Sequence, residues 1–155
     1  MEFVKEQSAG YLANHMARLF ARSLQERIKP LGLTTGTFPA LLELWEKEGL
    51  TQRELIRRLD IEQATMANTL VRMERDGLIF RGKDPSDGRA HRIWLTEKAR
   101  ALHAPAIAAA AQVNAAALRS LSETDRRQFV ALMSKIITGM RVRTPGEAQD
   151  QQNAR

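Results

Sequence analysis

The chain has 155 residues, 43% of them hydrophobic and 27% charged, which fits a globular protein of one domain or two small intertwined subdomains. Lysine and arginine number 24 against 18 acids, a net charge of +6 that favours a polyanionic partner, most often nucleic acid. The absence of cysteine excludes disulfides, thiolate zinc sites and thiol redox switching; no apolar run reaches the roughly 18–20 residues of a membrane span, and residues 1–7 lack a signal-peptide core, so the cytoplasm is the expected location.

Residues 8–29 carry Leu12, Met16, Leu19, Phe20, Leu24 and Ile28 at helical spacing, one apolar stripe that Pro30 and Gly32 end. Thr34, Thr35 and Thr37 offer caps for a second helix, with Pro39 in its first turn, where a missing N–H costs little. Phe38, Leu41, Leu42 and Trp45 form its predicted apolar face, and Gly49 stops it. Thr51-Gln52-Arg53-Glu54 is a capping box, and Leu50 and Leu55 stand at the positions of a hydrophobic staple, so a short helix starts sharply and covers residues 52–59. After a turn at Asp60-Ile61, a further helix covers residues 62–76, with Met66, Leu70 and Met73 inward and Gly77 as its stop.

Residues 78–81 and 91–95 are predicted strands of a β-hairpin, joined through the turn-rich stretch 82–88. Thr96 caps an Ala-rich helix over residues 97–119 that Pro105 kinks or breaks, with apolar surface from Leu102, Ile107, Val113 and Leu118. Ser122 and the acids after it open a last helix, whose pattern has it bury Phe129, Leu132, Met133, Ile136, Ile137 and Met140. Residues 144–155 have the composition of a disordered tail. The expected fold is mainly α with a small β-hairpin, in the order α-α-α-α-β-β-α-α.

Two short helices joined by a tight turn make a helix-turn-helix when the second exposes a polar face. Here that face carries Gln63, Ala64, Thr65, Asn68 and Arg75. Gln and Asn pair bidentately with the adenine edge, and Ala or a Thr methyl touches the thymine methyl, so Gln63, Ala64, Thr65 and Asn68 are the candidate base readers. Thr51, Gln52 and Arg53 open the preceding helix, whose free N–H groups suit a phosphate. The hairpin sets Arg81, Lys83, Arg89 and Arg92 against Asp84 and Asp87. Arg89 suits a narrow minor groove, Asp87 stands two residues away to orient its guanidinium, and Arg92 counts with them as a DNA contact.

With these elements in place, the chain resembles the MarR family of bacterial transcription regulators. The resemblance is carried by Leu33-Thr34, by residues 51–55, 65–70 and 74–79, and by Asp87-x-Arg89 followed after five residues by Leu95-Thr96, the spacing of the family's wing signature. It spans residues 10–140. It implies a winged helix-turn-helix in an intertwined homodimer: a dimerisation helix over 1–32, a DNA-binding lobe over 33–96, dimerisation helices over 97–143 and the tail 144–155. It further implies a bacterial cytoplasmic regulator, at the nucleoid when bound to DNA, that holds a pseudo-palindromic operator and releases it on binding a small, often aromatic or phenolic, ligand. A two-fold dimer sets its reading helices about 34 Å apart, one DNA turn. His15, Phe20, Phe38 and Trp45 are the candidate ligand-cleft residues. The chain departs from the family in lacking the cysteine of its thiol-sensing members, and in having Asn68 where many members place a basic residue, which leaves the operator sequence open.

No cofactor, metal or enzyme activity is expected. His15, His91 and His103 fall on different elements without an i, i+4 metal pair, and there is no phosphate loop or nucleophile elbow. The alternative is a winged-helix protein-interaction or metal-sensing module without operator reading. RNA fits poorly, because the few aromatic residues fall mostly on predicted apolar faces.

Overall fold

A computed structural model describes residues 2–88 and 91–142. The expected tail at 144–155 lies outside the described residues, as does Arg89. The elements are α1 (Ala9–Ile28), α2 (Phe38–Glu46), β1 (Leu50–Thr51), α3 (Gln52–Leu59), α4 (Gln63–Arg75), β2 (Ile79–Lys83), β3 (His91–Leu95), α5 (Glu97–Ala101), α6 (His103–Ala117) and α7 (Glu123–Val142). They fall into two compact units, divided in the sequence after Asn114. Among the described residues no helix is long and apolar enough to cross a membrane.

The first unit has a continuous core. Ile28, Leu41, Leu44, Leu55, Met66 and Leu70 have no exposed surface. Ser8 caps α1 by accepting the Tyr11 N–H at 3.3 Å, and Gly32, at φ +74, ends the short 3-10 turn after it. Pro39 sits in the first turn of α2, as its missing donor requires. The buried face of α2 runs through Phe38, Leu41 and Leu44, while Leu42 is exposed. The expected face therefore shifts by part of a turn: steps of three from Phe38 stay inward, and Leu42 falls outside them.

The sheet has three antiparallel strands in the order β1-β3-β2. Leu50 pairs with Ile93, and the hairpin register runs from Ile79 opposite Leu95 to Lys83 opposite His91. Strand β1 corrects the expected order, which had only a hairpin. Two residues are too short for a period to show, and their pairing with β3 places the start of α3 directly beside the hairpin.

The capping box at α3 is complete. The Thr51 hydroxyl accepts the Glu54 N–H at 3.1 Å, and the Glu54 carboxylate accepts the Thr51 N–H at 2.8 Å, with Leu50 and Leu55 buried on either side. That backbone donor holds the Glu54 carboxyl below its ordinary range. Thr51→Ala is expected to lower stability by about 1 kcal/mol, read as a lower urea midpoint at unchanged slope.

The expected helix over residues 97–119 is two helices, broken at Leu102. Pro105 is the third residue of α6, where an N–H has no helical partner, so it marks a helix start and not a kink. In the second unit, Ser122 caps α7 by accepting the Asp125 N–H at 3.1 Å, and Arg126 Nε donates to the Leu118 and Leu121 carbonyls. The expected burial of the α7 stripe does not occur within the chain: Leu132, Ile136, Ile137 and Met140 are exposed, and Phe129 and Met133 are half-buried. On α1, likewise, only Ile28 is buried, and Leu12 and Leu19 are exposed. A single chain has too little core to cover both stripes.

Candidate nucleic-acid interface

Helix α4 is fixed from below. Met66, Leu70 and Met73 are fully buried, and Asp60, in the left-handed region at φ 51, makes the tight corner after α3. The opposite face is open: Gln63, Ala64, Thr65, Asn68 and Arg75 are all exposed. The structure thus brings the expected base readers together. Val71 and Arg72 are exposed on the same face and were missed in the sequence. Continuing from Asn68 by three and four residues finds both. Thr65, Asn68, Val71 and Arg72 line one shallow depression. Arg75 lies 3.1 Å from Asp76, an exposed pair that holds it loosely.

At the start of α3, the Thr51 hydroxyl and N–H are committed to Glu54, Gln52 is half-buried and Arg53 is exposed. Of this expected group, Arg53 is the exposed residue.

The hairpin is organised by an acid whose structural role the sequence reading did not assign. Asp84 is buried; its Oδ1 accepts the Ser86 N–H at 2.9 Å and the Ser86 hydroxyl at 2.8 Å, and its Oδ2 accepts Arg92 Nε at 2.7 Å. Arg92 Nη1 donates to the Gly49 carbonyl at 2.7 Å and lies 4.0 Å from the Glu54 carboxylate. The Ser86 N–H, the Ser86 hydroxyl and then Arg92 hold the Asp84 carboxyl down to about 2. Arg92, expected among the DNA contacts, therefore has its guanidinium turned to the protein. It ties the hairpin to the loop before α3. The signal in the sequence was Asp84-Pro85-Ser86, an Asx-turn pattern. Asp87 is exposed, and its expected partner Arg89 lies outside the described residues.

Trp94 braces the same corner. A Cβ on Gly49, at φ +76, would fall 2.9 Å from its ring, and one on Gly82 would fall 3.2 Å from its Nε1. Gly49 thus has a packing role beyond stopping a helix.

Helix α5 is bolted to this lobe. The Thr96 hydroxyl donates to the Gly77 carbonyl at 2.6 Å and accepts the Ala99 N–H at 3.2 Å. Trp45 Nε1 donates to the Ala99 carbonyl at 2.9 Å, and Lys98 Nζ donates to the Asp76 carbonyl at 2.9 Å. Glu48 accepts the Leu95 N–H and both Nε and Nη2 of Arg100, which holds its carboxyl below the ordinary range.

A cleft of about 220 Å³ opens between α1, α2 and α6, with Phe20, Leu24, Phe38 and Val113 as apolar walls and Thr35 and Asn114 as polar ones. It gathers two of the four expected cleft residues. His15 stands beside Tyr11 on α1, and Trp45 packs between Phe38 and His103, so neither lines it. Among the described residues no group of three acids or histidines is arranged to hold a metal ion.

The MarR family model matches residues 31–90, the stretch that follows α1 and runs past β2 to the residue before β3. A probable transcriptional regulator from Pseudomonas aeruginosa is 28% identical, with a TM-score of 0.77 over 84% of this chain and 98% of its own. A MarR transcriptional regulator from Methanosarcina mazei Go1 is 26% identical, with a TM-score of 0.78 over 86% and 96%. Over these stretches the chain is similar to MarR-family transcriptional regulators. A further MarR-family protein, from Mycobacterium tuberculosis and in complex with salicylic acid, is 29% identical with a TM-score of 0.66 over 83% and 96%. In MarR-family terms, α3 and α4 are the helix-turn-helix and β2 and β3 are the wing.

Proposed function

We propose that this protein is a MarR-family, sequence-specific double-stranded DNA-binding transcription regulator, acting as a homodimer on a pseudo-palindromic operator and as a repressor released by a small aromatic or phenolic ligand. The observation that carries the reading is the open face of α4, polar and basic, beside a wing whose base is pinned by Arg92 and Asp84. Gln63, Ala64, Thr65 and Asn68 read bases, and Arg53, Arg72 and Arg75 take backbone or base contacts. Arg89 enters the minor groove with Asp87 beside it. Arg92 serves as a strut.

The dimer reading, with residues 1–32 and 97–143 as dimerisation segments and 33–96 as the DNA-binding lobe, is supported by the uncovered apolar stripes of α1 and α7; within it, α5 packs on the lobe. The salicylic acid held by the Mycobacterium tuberculosis relative supports a small aromatic effector, and the Phe20–Phe38 cleft is the site it would enter.

Selection from a pool of random duplexes tests the reading. It should return a site with two-fold related halves about one helical turn apart. Asn68→Ala is expected to lose about 1–3 kcal/mol on the selected site and to relax one position in each half. A pool with no enrichment, or an unchanged preference in Asn68→Ala, would count against it.

A further inference from the structure

We propose that one edge of α4 reads thymine methyl groups through Val71, with Asn68 beside it reading an adenine. The inference rests on the DNA-binding reading above and names bases that reading leaves open. Val71 is 61% exposed, whereas the other large apolar side chains of α4 (Met66, Leu70 and Met73) are fully buried. A β-branched side chain is stiff in a helix and gains nothing from water, so neither propensity nor packing within the chain explains a valine there.

Its neighbours give it a context. Ala64, exposed, and Ala67, half-buried, stand on the same edge at spacings of three and four residues. With Val71 they form an apolar strip about 10 Å long. The opposite edge is polar: Thr65 is exposed, the Thr69 hydroxyl donates to the Thr65 carbonyl at 2.8 Å, and Arg72 Nη2 lies 3.5 Å from that hydroxyl. Asn68 is exposed between the two edges, and Thr65, Asn68, Val71 and Arg72 share one depression.

In the major groove only thymine presents a methyl group, and adenine presents the N6–N7 pair that a carboxamide matches. Side chains one helical turn apart, such as Asn68 and Val71, have Cβ atoms about 5–6 Å from each other. That span covers one to two base-pair steps of about 3.4 Å. A half-site with an adenine under Asn68 and a thymine at a neighbouring pair under Val71 fits this geometry. The positive charge of Arg72 and Arg75 on the same face suits a duplex better than an apolar protein partner.

The test replaces each thymine of the selected half-site, in turn, by deoxyuridine, which removes only the C5 methyl. One position near the adenine is expected to lose about fourfold in affinity for the wild-type protein, the scale of one buried methyl group. Val71→Ala should bind the thymine and uracil duplexes at that position equally, with an unchanged or higher melting temperature. If the wild type binds the duplex but no position distinguishes thymine from uracil, or if Val71→Ala keeps the discrimination, the inference is overturned while DNA reading stands. If no duplex is bound at all, both fall.

Discussion

Arg92→Ala is expected to weaken operator binding by about tenfold, the scale of a lost charge-assisted hydrogen bond, without changing the dependence of binding on salt. Its Nε and Nη1 join Asp84 to the Gly49 carbonyl, so they hold the wing against the start of α3 and do not neutralise a phosphate. Asp84→Asn should have the same effect, and the double variant should be no worse than either single one, because both changes break one network. Arg92→Lys keeps the charge but loses the fork that bridges two acceptors, and should behave like Arg92→Ala. Arg89→Ala is the control in the other direction: losing the cation proposed to enter the minor groove should weaken binding and flatten the log–log salt slope. A flattened slope in Arg92→Ala, measured by anisotropy over a salt series, would return Arg92 to the DNA contacts. The network should persist at neutral pH. The Asp84 carboxyl is lowered from 3.8 to about 2 in the folded protein, so its stabilisation is complete above about pH 4 and is lost as pH falls towards 2.

Ile136→Asp is expected to dissociate the proposed homodimer and, with it, to abolish operator binding. Leu132, Ile136 and Met140 recur every four residues along α7, with Ile137 beside them, and all are exposed in the single chain. Burying one such side chain contributes about 1.5–3 kcal/mol, and a two-fold interface counts it twice. The dimer constant should therefore rise by about 10²–10⁴-fold. Sedimentation of wild type and variant over a concentration series reads this directly. A wild-type monomer, or a variant that dimerises as well, would contradict the proposed interface.

Much of this was legible in the sequence because it is local. The Thr51–Glu54 box, the Met66–Leu70–Met73 stripe and the Thr96 cap follow from spacing alone, and the structure has each of them. What escaped depends on contacts distant in sequence. Strand β1 exists only because β3 pairs with it, and Arg92 looked like a surface base until Asp84 and Gly49 were brought to it. The α7 stripe was legible as apolar, and in the single chain most of it is exposed. Periodicity says that a face is apolar and not what covers it. The break at Leu102 was half legible: Pro105 announced it, yet its place at a helix start needed the backbone. Its consequence is mechanical. Thr96, Trp45, Glu48 and Lys98 fasten α5 to the lobe, so the wing and α5 form one piece, and the chain turns at Leu102 beyond it.

The open face of α4 and the wing are proposed to bind duplex DNA. Anisotropy of a labelled duplex carrying the selected site, titrated from low to high salt, tests it most directly. Tight binding at low salt is expected, with log affinity falling linearly against log salt by about 0.9 for each phosphate neutralised. A protein that stays folded yet binds no duplex at low salt would contradict it.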